Sequence, residues 1–179
     1  LRMSRGLGDV YKRQMFNGTV NSNIAYGDAK EVITDKAVKE AAKVAQADDF
    51  VSKMDDGYAS HIAQGGTNVS GGQKQRLAIA RAIAKNPEIY IFDDSFSALD
   101  YKTDAVLREE LKKYTKDATS LIVAQRIGTI MNADKIIVLD NGTSVGVGTH
   151  EELLKSCEVY KEIALSQLSK EELDNAKTK

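Results

Sequence analysis

Asn68–Ala82 reads NVSGGQKQRLAIARA, and Glu88–Asp94, just beyond it, reads EIYIFDD. The first segment opens with a serine, two glycines and a glutamine and runs on as a helix for which Ser70 is a natural N-cap. It should end near Asn86-Pro87, because proline restricts the residue before it. The second segment is a short apolar run closed by two acids, the pattern of a buried strand in a parallel sheet. A helix handing over to such a strand, in a chain whose second half keeps alternating the two, gives an α/β class with a mostly parallel sheet.

Downstream, Tyr101 to Tyr114 reads as helix, Thr119 to Ala124 as strand, Ile127 to Met131 as a short helix and Lys135 to Asp140 as a third strand. Asn141-Gly142 is hairpin-turn chemistry, with Thr143 to Val147 returning. His150 to Ser156 and Val159 to Leu168 read as terminal helices. Upstream, Thr34 to Phe50 carries Val38, Ala41, Ala42 and Ala45 at helical spacing, with Thr34 or Asp35 as cap. Ala47 to Met54 suggests a second short helix, and Gly57 to Asn68 is rich in turn residues. The first half is therefore a helical subdomain set before the sheet.

The 179 residues carry 25 basic and 26 acidic side chains, so no whole-chain field favours nucleic acid or an anionic membrane. The single cysteine, Cys157, excludes an internal disulfide and lacks the cationic context of a reactive thiol. No window approaches the ~18 to 20 apolar residues needed to span a bilayer. Residues 1–14, LRMSRGLGDVYKRQ, have neither helical nor strand periodicity and look like translated adapter sequence or a disordered leader, placing the native start near Met15 or Phe16. The tail, residues 169–179, reads as a charged, solvated end.

Ser70, Gly71, Gly72 and Gln73 offer backbone N–H groups, a hydroxyl and an amide where a helix dipole favours an anion, and glycine lets that anion come close. A Ser cap followed by small residues begins many ordinary helices, so this feature is weak alone. Asp93 strengthens it: an acid at the C-terminal end of an apolar strand is where a nucleotide enzyme places a Mg²⁺-coordinating carboxylate. Against that stands an ordinary solvated strand-end acid. Lys74, Arg76 and Arg81 suit either phosphate steering or a solvated helix face. His61 and His150 have no second ligand at metal spacing and read as surface or capping residues.

The order SGGQKQRLAIARA, IYIFDD, SALD (Ser97 to Asp100) and LIVAQR resembles the nucleotide-binding domain of an ATP-binding-cassette (ABC) transporter, from about Phe16 to Gln167. FNGTVNSNIAYG, Phe16 to Gly27, resembles the segment after the glutamine loop of exporters. The resemblance implies a P-loop NTPase-like fold represented by its C-terminal part, residues 15–168. Residues 28–86 would form the helical signature subdomain and residues 87–168 the Walker B and C-terminal α/β part. It implies that Val69 to Gln73 is the signature, with valine where leucine is usual, and that Asp93 is the Walker B aspartate holding Mg²⁺ through water. Ser97 and Asp100 then belong to the D-loop, and Gln64 to Asn68 lies in the loop that communicates with the membrane domain. ATP and Mg²⁺ are the implied cofactors.

Three departures shape the functional expectation. No G-x-x-x-x-G-K-[ST] loop occurs in the 179 residues, nor does the aromatic loop or the glutamine of the Q-loop, so the chain alone should bind ATP poorly. Asp94 stands where the family usually has the glutamate that polarises water. Its carboxylate is pulled back by roughly 1 to 1.5 Å, a misplacement that can cost ~10²-fold in rate. Gln125 stands where a switch histidine contacts the γ-phosphate, and an amide carries neither charge nor proton. In the resembled family two such domains pack head to tail, each signature closing over the other's ATP. The expectation is a subunit bearing the degenerate site of a heterodimeric exporter. Its partners would be a different nucleotide-binding domain and a permease domain absent from this chain, at the cytoplasmic face of the membrane, with no nucleic acid. The alternatives are a soluble non-transport ABC ATPase and a regulatory module without ATPase activity of its own.

Overall fold

The computed structural model describes residues 14–27 and 32–168. The leader up to Arg13 and the tail from Ser169 lie outside the described residues. The chain forms two compact units, Leu1–Leu121 and Ile122–Lys179, each described here by itself.

In the first unit β1 (Gly18–Thr19) leads into α1 (Val20–Ile24), followed by α2 (Asp35–Val44), α3 (Asp48–Val51), β2 (His61–Ile62), α4 (Gly71–Ala84), β3 (Ile89–Asp93) and α5 (Tyr101–Tyr114). β1 pairs antiparallel with β2. Thr34 caps α2 by accepting from the Ala37 N–H, and the helix ends at Val44, short of the Phe50 expected from periodicity. Gln46 has φ +55°, a left-handed break that the run of alanines does not announce. Sequence reading also passed over α1, whose five residues begin in a capping box between Thr19 and Ser22.

α4 is the hub of this unit, packing against both α1 and α2. Leu77, Ile79, Ala80 and Ile83 of this helix are buried, as are Val20 and Ile24 of α1, Val38, Ala41 and Ala42 of α2, and Met15. Each large aliphatic side chain so buried contributes on the order of 1.5–3 kcal/mol. Two arginines complete the attachment, half-buried and bonded to the protein in place of lying free on a solvated helix face. Arg81 donates from Nε to Asn23 O at 2.7 Å, from NH1 to Gln14 O at 3.0 Å and from NH2 to Asn23 Oδ1 at 3.0 Å. Its guanidinium also lies 5.2 Å from the Phe16 ring and 5.6 Å from Tyr26, two rings stacked 3.9 Å apart. Arg76 donates to Gln46 O at 2.7 Å and stands 4.7 Å over Phe50.

β3 differs from the fully buried strand expected of a continuous apolar run. Tyr90 and Phe92 are buried, but Ile89 is 61% and Ile91 68% exposed, so the described residues cover one face only. β4 (Thr119–Val123) pairs with β3, Thr119 N–H donating to Glu88 O at 2.9 Å, and Leu121 is likewise exposed. The described strands form three two-stranded sheets, of which β1–β2 and β5–β6 are antiparallel.

The second unit holds α6 (Ile127–Ile130), the hairpin β5 (Ile136–Asp140) and β6 (Thr143–Gly148), then α7 (His150–Ser156) and α8 (Glu158–Gln167). The turn places Asn141 at φ +46° and Gly142 at φ +80°, the doubly left-handed conformation that Asn-Gly tolerates. Ile127, Ile136, Val138, Leu153, Cys157, Tyr160 and Ala164 form its core. Cys157 is a buried thiol at the junction of α7 and α8, not within a helix. His150 is 5% exposed, with Nδ1 2.7 Å from the Tyr160 hydroxyl, so it is a core residue and not the surface position expected. Among the described residues no helix is long and apolar enough to cross a membrane.

Burial lowers the His150 pKa below its ordinary 6.5, so the folded state resists the proton that the unfolded chain accepts. Stability supplied by neutral His150 is present above about pH 6.5 and is lost as the pH falls toward the depressed folded value. Thermal unfolding followed from pH 7.5 to 5 should show a steeper fall in Tm for the parent chain than for His150→Gln; parallel curves would rule out His150 as the titrating group.

Candidate functional site

α4 begins in a capping box: Ser70 Oγ accepts from Gln73 N–H at 3.2 Å, and Gln73 Oε1 accepts from Ser70 N–H at 2.8 Å. Ser-Gly-Gly-Gln is thus a self-locking helix tip, fixed by local hydrogen bonds before any ligand arrives. The Ser70 cap and Gly71 are exposed, so the tip faces outward.

The glycines have a packing role as well as the anion-approach role read from the sequence. A Cβ on Gly72 would stand 3.1 Å from Ala98 O, whereas one on Gly71 would meet only Ala98 Cβ, at 4.0 Å. The first turn of α4 is therefore pressed onto the loop that leaves β3, and Gly72 is what lets it close.

That loop carries the acids. Asp93 ends β3 half-buried, with Ser95 Oγ donating to its carbonyl at 3.3 Å. Asp94 follows at φ +47°, a left-handed conformation that costs a non-glycine residue on the order of 1 kcal/mol and clusters at functional sites. Its carboxylate Oδ2 lies 3.0 Å from Ser97 Oγ, close enough to accept from that hydroxyl, so the shorter acid is turned toward its own loop. Asp100 N-caps α5 by accepting from Thr103 N–H at 3.0 Å, and this bond holds its carboxyl below the usual range. Asp100 thus has a helix-capping role whatever else it does.

One residue that sequence reading missed ties these parts together. Gln75, 2% exposed on α4, accepts from Ala98 N–H at 2.9 Å and places Nε2 3.3 Å from both Asp94 O and Ser97 Oγ. The only sequence signal was a polar residue on the apolar face of the helix, one position before Arg76.

Gln125 belongs to the second unit. Its side chain is exposed, and its backbone is held by Gln167, which donates to Gln125 O at 2.9 Å and accepts from Ile127 N–H at 2.9 Å. Gln64, in the loop before α4, accepts from Asn17 N–H at 3.0 Å. The structure therefore brings together Ser70 to Gln73, Asp93, Asp94, Ser97 and Asp100 within the first unit. Among the described residues no group of three or more His, Cys, Asp or Glu side chains could by itself hold a metal ion. Asp93 and Asp94 are nevertheless hard oxygen donors of the kind Mg²⁺ takes when it keeps several waters.

A family model described as ABC transporter matches residues 8–97. A Mycobacterium tuberculosis protein named as an uncharacterized ABC transporter ATP-binding protein is 49% identical over 168 residues, which are 93% of this chain and 28% of that protein. A Staphylococcus aureus protein that carries a multidrug export ATP-binding/permease name is 44% identical over 149 residues, 83% of this chain and 25% of the relative. Among solved structures, that of a bacterial Atm1-family ABC exporter with ATP bound is similar with a TM-score of 0.82 and 35% identity, covering 89% of this chain and 28% of that one. The chain thus spans about a quarter of the length of the relatives it matches.

Replacing Gly71 by Ala should leave thermal stability equal or slightly raised. Gly72→Ala should be less stable than Gly71→Ala by about 1 kcal/mol, because the Ala98 carbonyl must move aside. Denaturant unfolding of the two variants side by side checks this, and equal midpoints would remove the packing role assigned to Gly72.

Proposed function

The chain belongs to the ABC transporter family, and from that premise we propose that it is part of the ATP-binding subunit of an exporter, the half that bears the degenerate site of a heterodimer. The observation that carries the reading is the seating of the Ser70–Gln73 helix tip on the loop of Asp94, Ser97 and Ala98. One element reaches outward while the other serves the subunit's own pocket. In a head-to-tail pair, Ser70, Gly71, Gly72 and Gln73 would donate to the phosphates of ATP held by the partner, with Ser97 and Asp100 beside that interface.

In its own pocket Asp94 would orient the attacking water and accept its proton; for Gln125, in the second unit, the motif order alone supports a role as hydrogen-bond donor to a γ-phosphate. Asp93 would hold Mg²⁺ through water, and the ion would supply neutralisation of the charge that develops on the phosphate oxygens. Two features support slow turnover there. The Asp94 carboxylate is shorter than a glutamate and within bonding distance of Ser97, and Gln125 cannot carry a positive charge. The division into a helical signature part, residues 28–86, and an α/β part, residues 87–168, fits this two-sided role. The 179-residue chain alone, with no phosphate-cradling G-x-x-x-x-G-K-[ST] loop, would turn over no ATP. Its working place would be the cytoplasmic face of a membrane, beside a permease domain. Similarity to a protein named for multidrug export and to an Atm1-family exporter favours this over a soluble ABC ATPase.

In the reconstituted pair, Asp94→Asn should leave most ATP turnover intact, while replacing the corresponding acid of the partner should lower kcat by about 10²-fold or more. Equal losses from the two substitutions would contradict the assignment of sites.

A further inference from the structure

Gln75 satisfies a demanding set of bonds for one buried side chain. Its carbonyl oxygen accepts from Ala98 N–H at 2.9 Å, and its amide nitrogen lies 3.3 Å from Asp94 O and 3.3 Å from Ser97 Oγ. A carboxamide meets that set because it presents an acceptor on one arm and donors on the other. A carboxylate would offer no donor to Asp94 O, and an aliphatic residue would take from the Ala98 N–H its bond to the helix. The Ser97 hydroxyl has one proton and two acceptor sites. By accepting from Gln75 it is left to donate its one proton onward to Asp94, whose Oδ2 stands 3.0 Å away and whose backbone O stands 3.2 Å away. The result is a relay from a buried glutamine two residues behind the helix tip to the acid itself. It operates where the Asp94 backbone sits in a left-handed conformation that needs outside support.

We propose that Gln75 is a positioning residue for hydrolysis: through Ser97 and Ala98 it fixes the loop on which the Asp94 carboxylate stands and binds that loop to the helix whose tip reaches the opposite nucleotide. This inference rests on the reading of Asp94 as the hydrolytic acid of its own pocket. It adds a mechanical consequence, that the tip and the acid move as one body and not independently.

The test uses the full transporter with the partner's acid replaced, so that the remaining turnover comes from the Asp94 pocket. Gln75→Leu should lower kcat at least about tenfold while KM for ATP changes less than about twofold. Gln75→Glu keeps the acceptor for Ala98 N–H and should recover part of the rate. Ser97→Ala, at an exposed position where folding is safe, should produce a comparable loss, and the double variant should lose little beyond Gln75→Leu alone. Hydrogen exchange should rise in Asp94–Ala98 and stay unchanged in Tyr101–Tyr114. An unchanged kcat, a parallel change of kcat and KM, additive losses in the double variant, or exchange rising throughout the unit overturns the proposal. A parent transporter that hydrolyses no Mg²⁺-ATP overturns instead the reading of the family site, and takes this inference with it.

Discussion

The first turn of α4 lies against the loop that leaves β3 closely enough that a single methyl at Gly72 would press on the Ala98 carbonyl. Most of what the first unit can do follows from that contact. It lets a buried carboxamide on the helix reach backbone and side-chain groups of the loop, and it sets the strained Asp94 beside the serine that engages it. Behind the contact, the helix is held by its apolar face and by two arginines whose charged heads are bonded to backbone carbonyls of the preceding segments. Removing either arginine would leave those carbonyls short of a partner, which typically costs about 1–3 kcal/mol apiece where water cannot substitute.

Much of this was legible from residue patterns. The helix caps at Thr34 and Ser70, the Asn-Gly hairpin and the span Tyr101–Tyr114 stand where side-chain chemistry puts them, because each depends on groups within a few residues. The misses share a cause: they depend on groups far apart in sequence. Arg81 looked like a surface charge because its acceptors, Asn23 and Gln14, precede it by more than fifty positions. His150 looked like a cap because its partner Tyr160 lies on the next helix. Gln75 offered only its polarity among apolar neighbours and Gln167 no local signal, yet each pins a loop holding a residue singled out for chemistry.

The apolar run IYIF illustrates the opposite error. Continuous hydrophobicity suggests cover on both faces, but among the described residues only Tyr90 and Phe92 are covered. The run is apolar on its second face for a reason that these residues do not themselves supply. The same alternation recurs in the second unit, where Ile137 and Leu139 are exposed beside buried Ile136 and Val138.

Two features meet at one contact: a helix tip locked by its own capping box, and an aspartate turned toward its neighbouring serine, and in the proposed reading they act on different nucleotides. The most direct measurement of whether they serve different nucleotides is a disulfide cross-link between Ser70→Cys and a cysteine placed in the phosphate-binding loop of the partner domain. The expected result is a cross-link that forms when ATP is bound under non-hydrolysing conditions and is lost without nucleotide. An active complex in which ATP produces no such link, or in which Ser70→Cys links instead to the phosphate-binding loop of its own polypeptide, would contradict it.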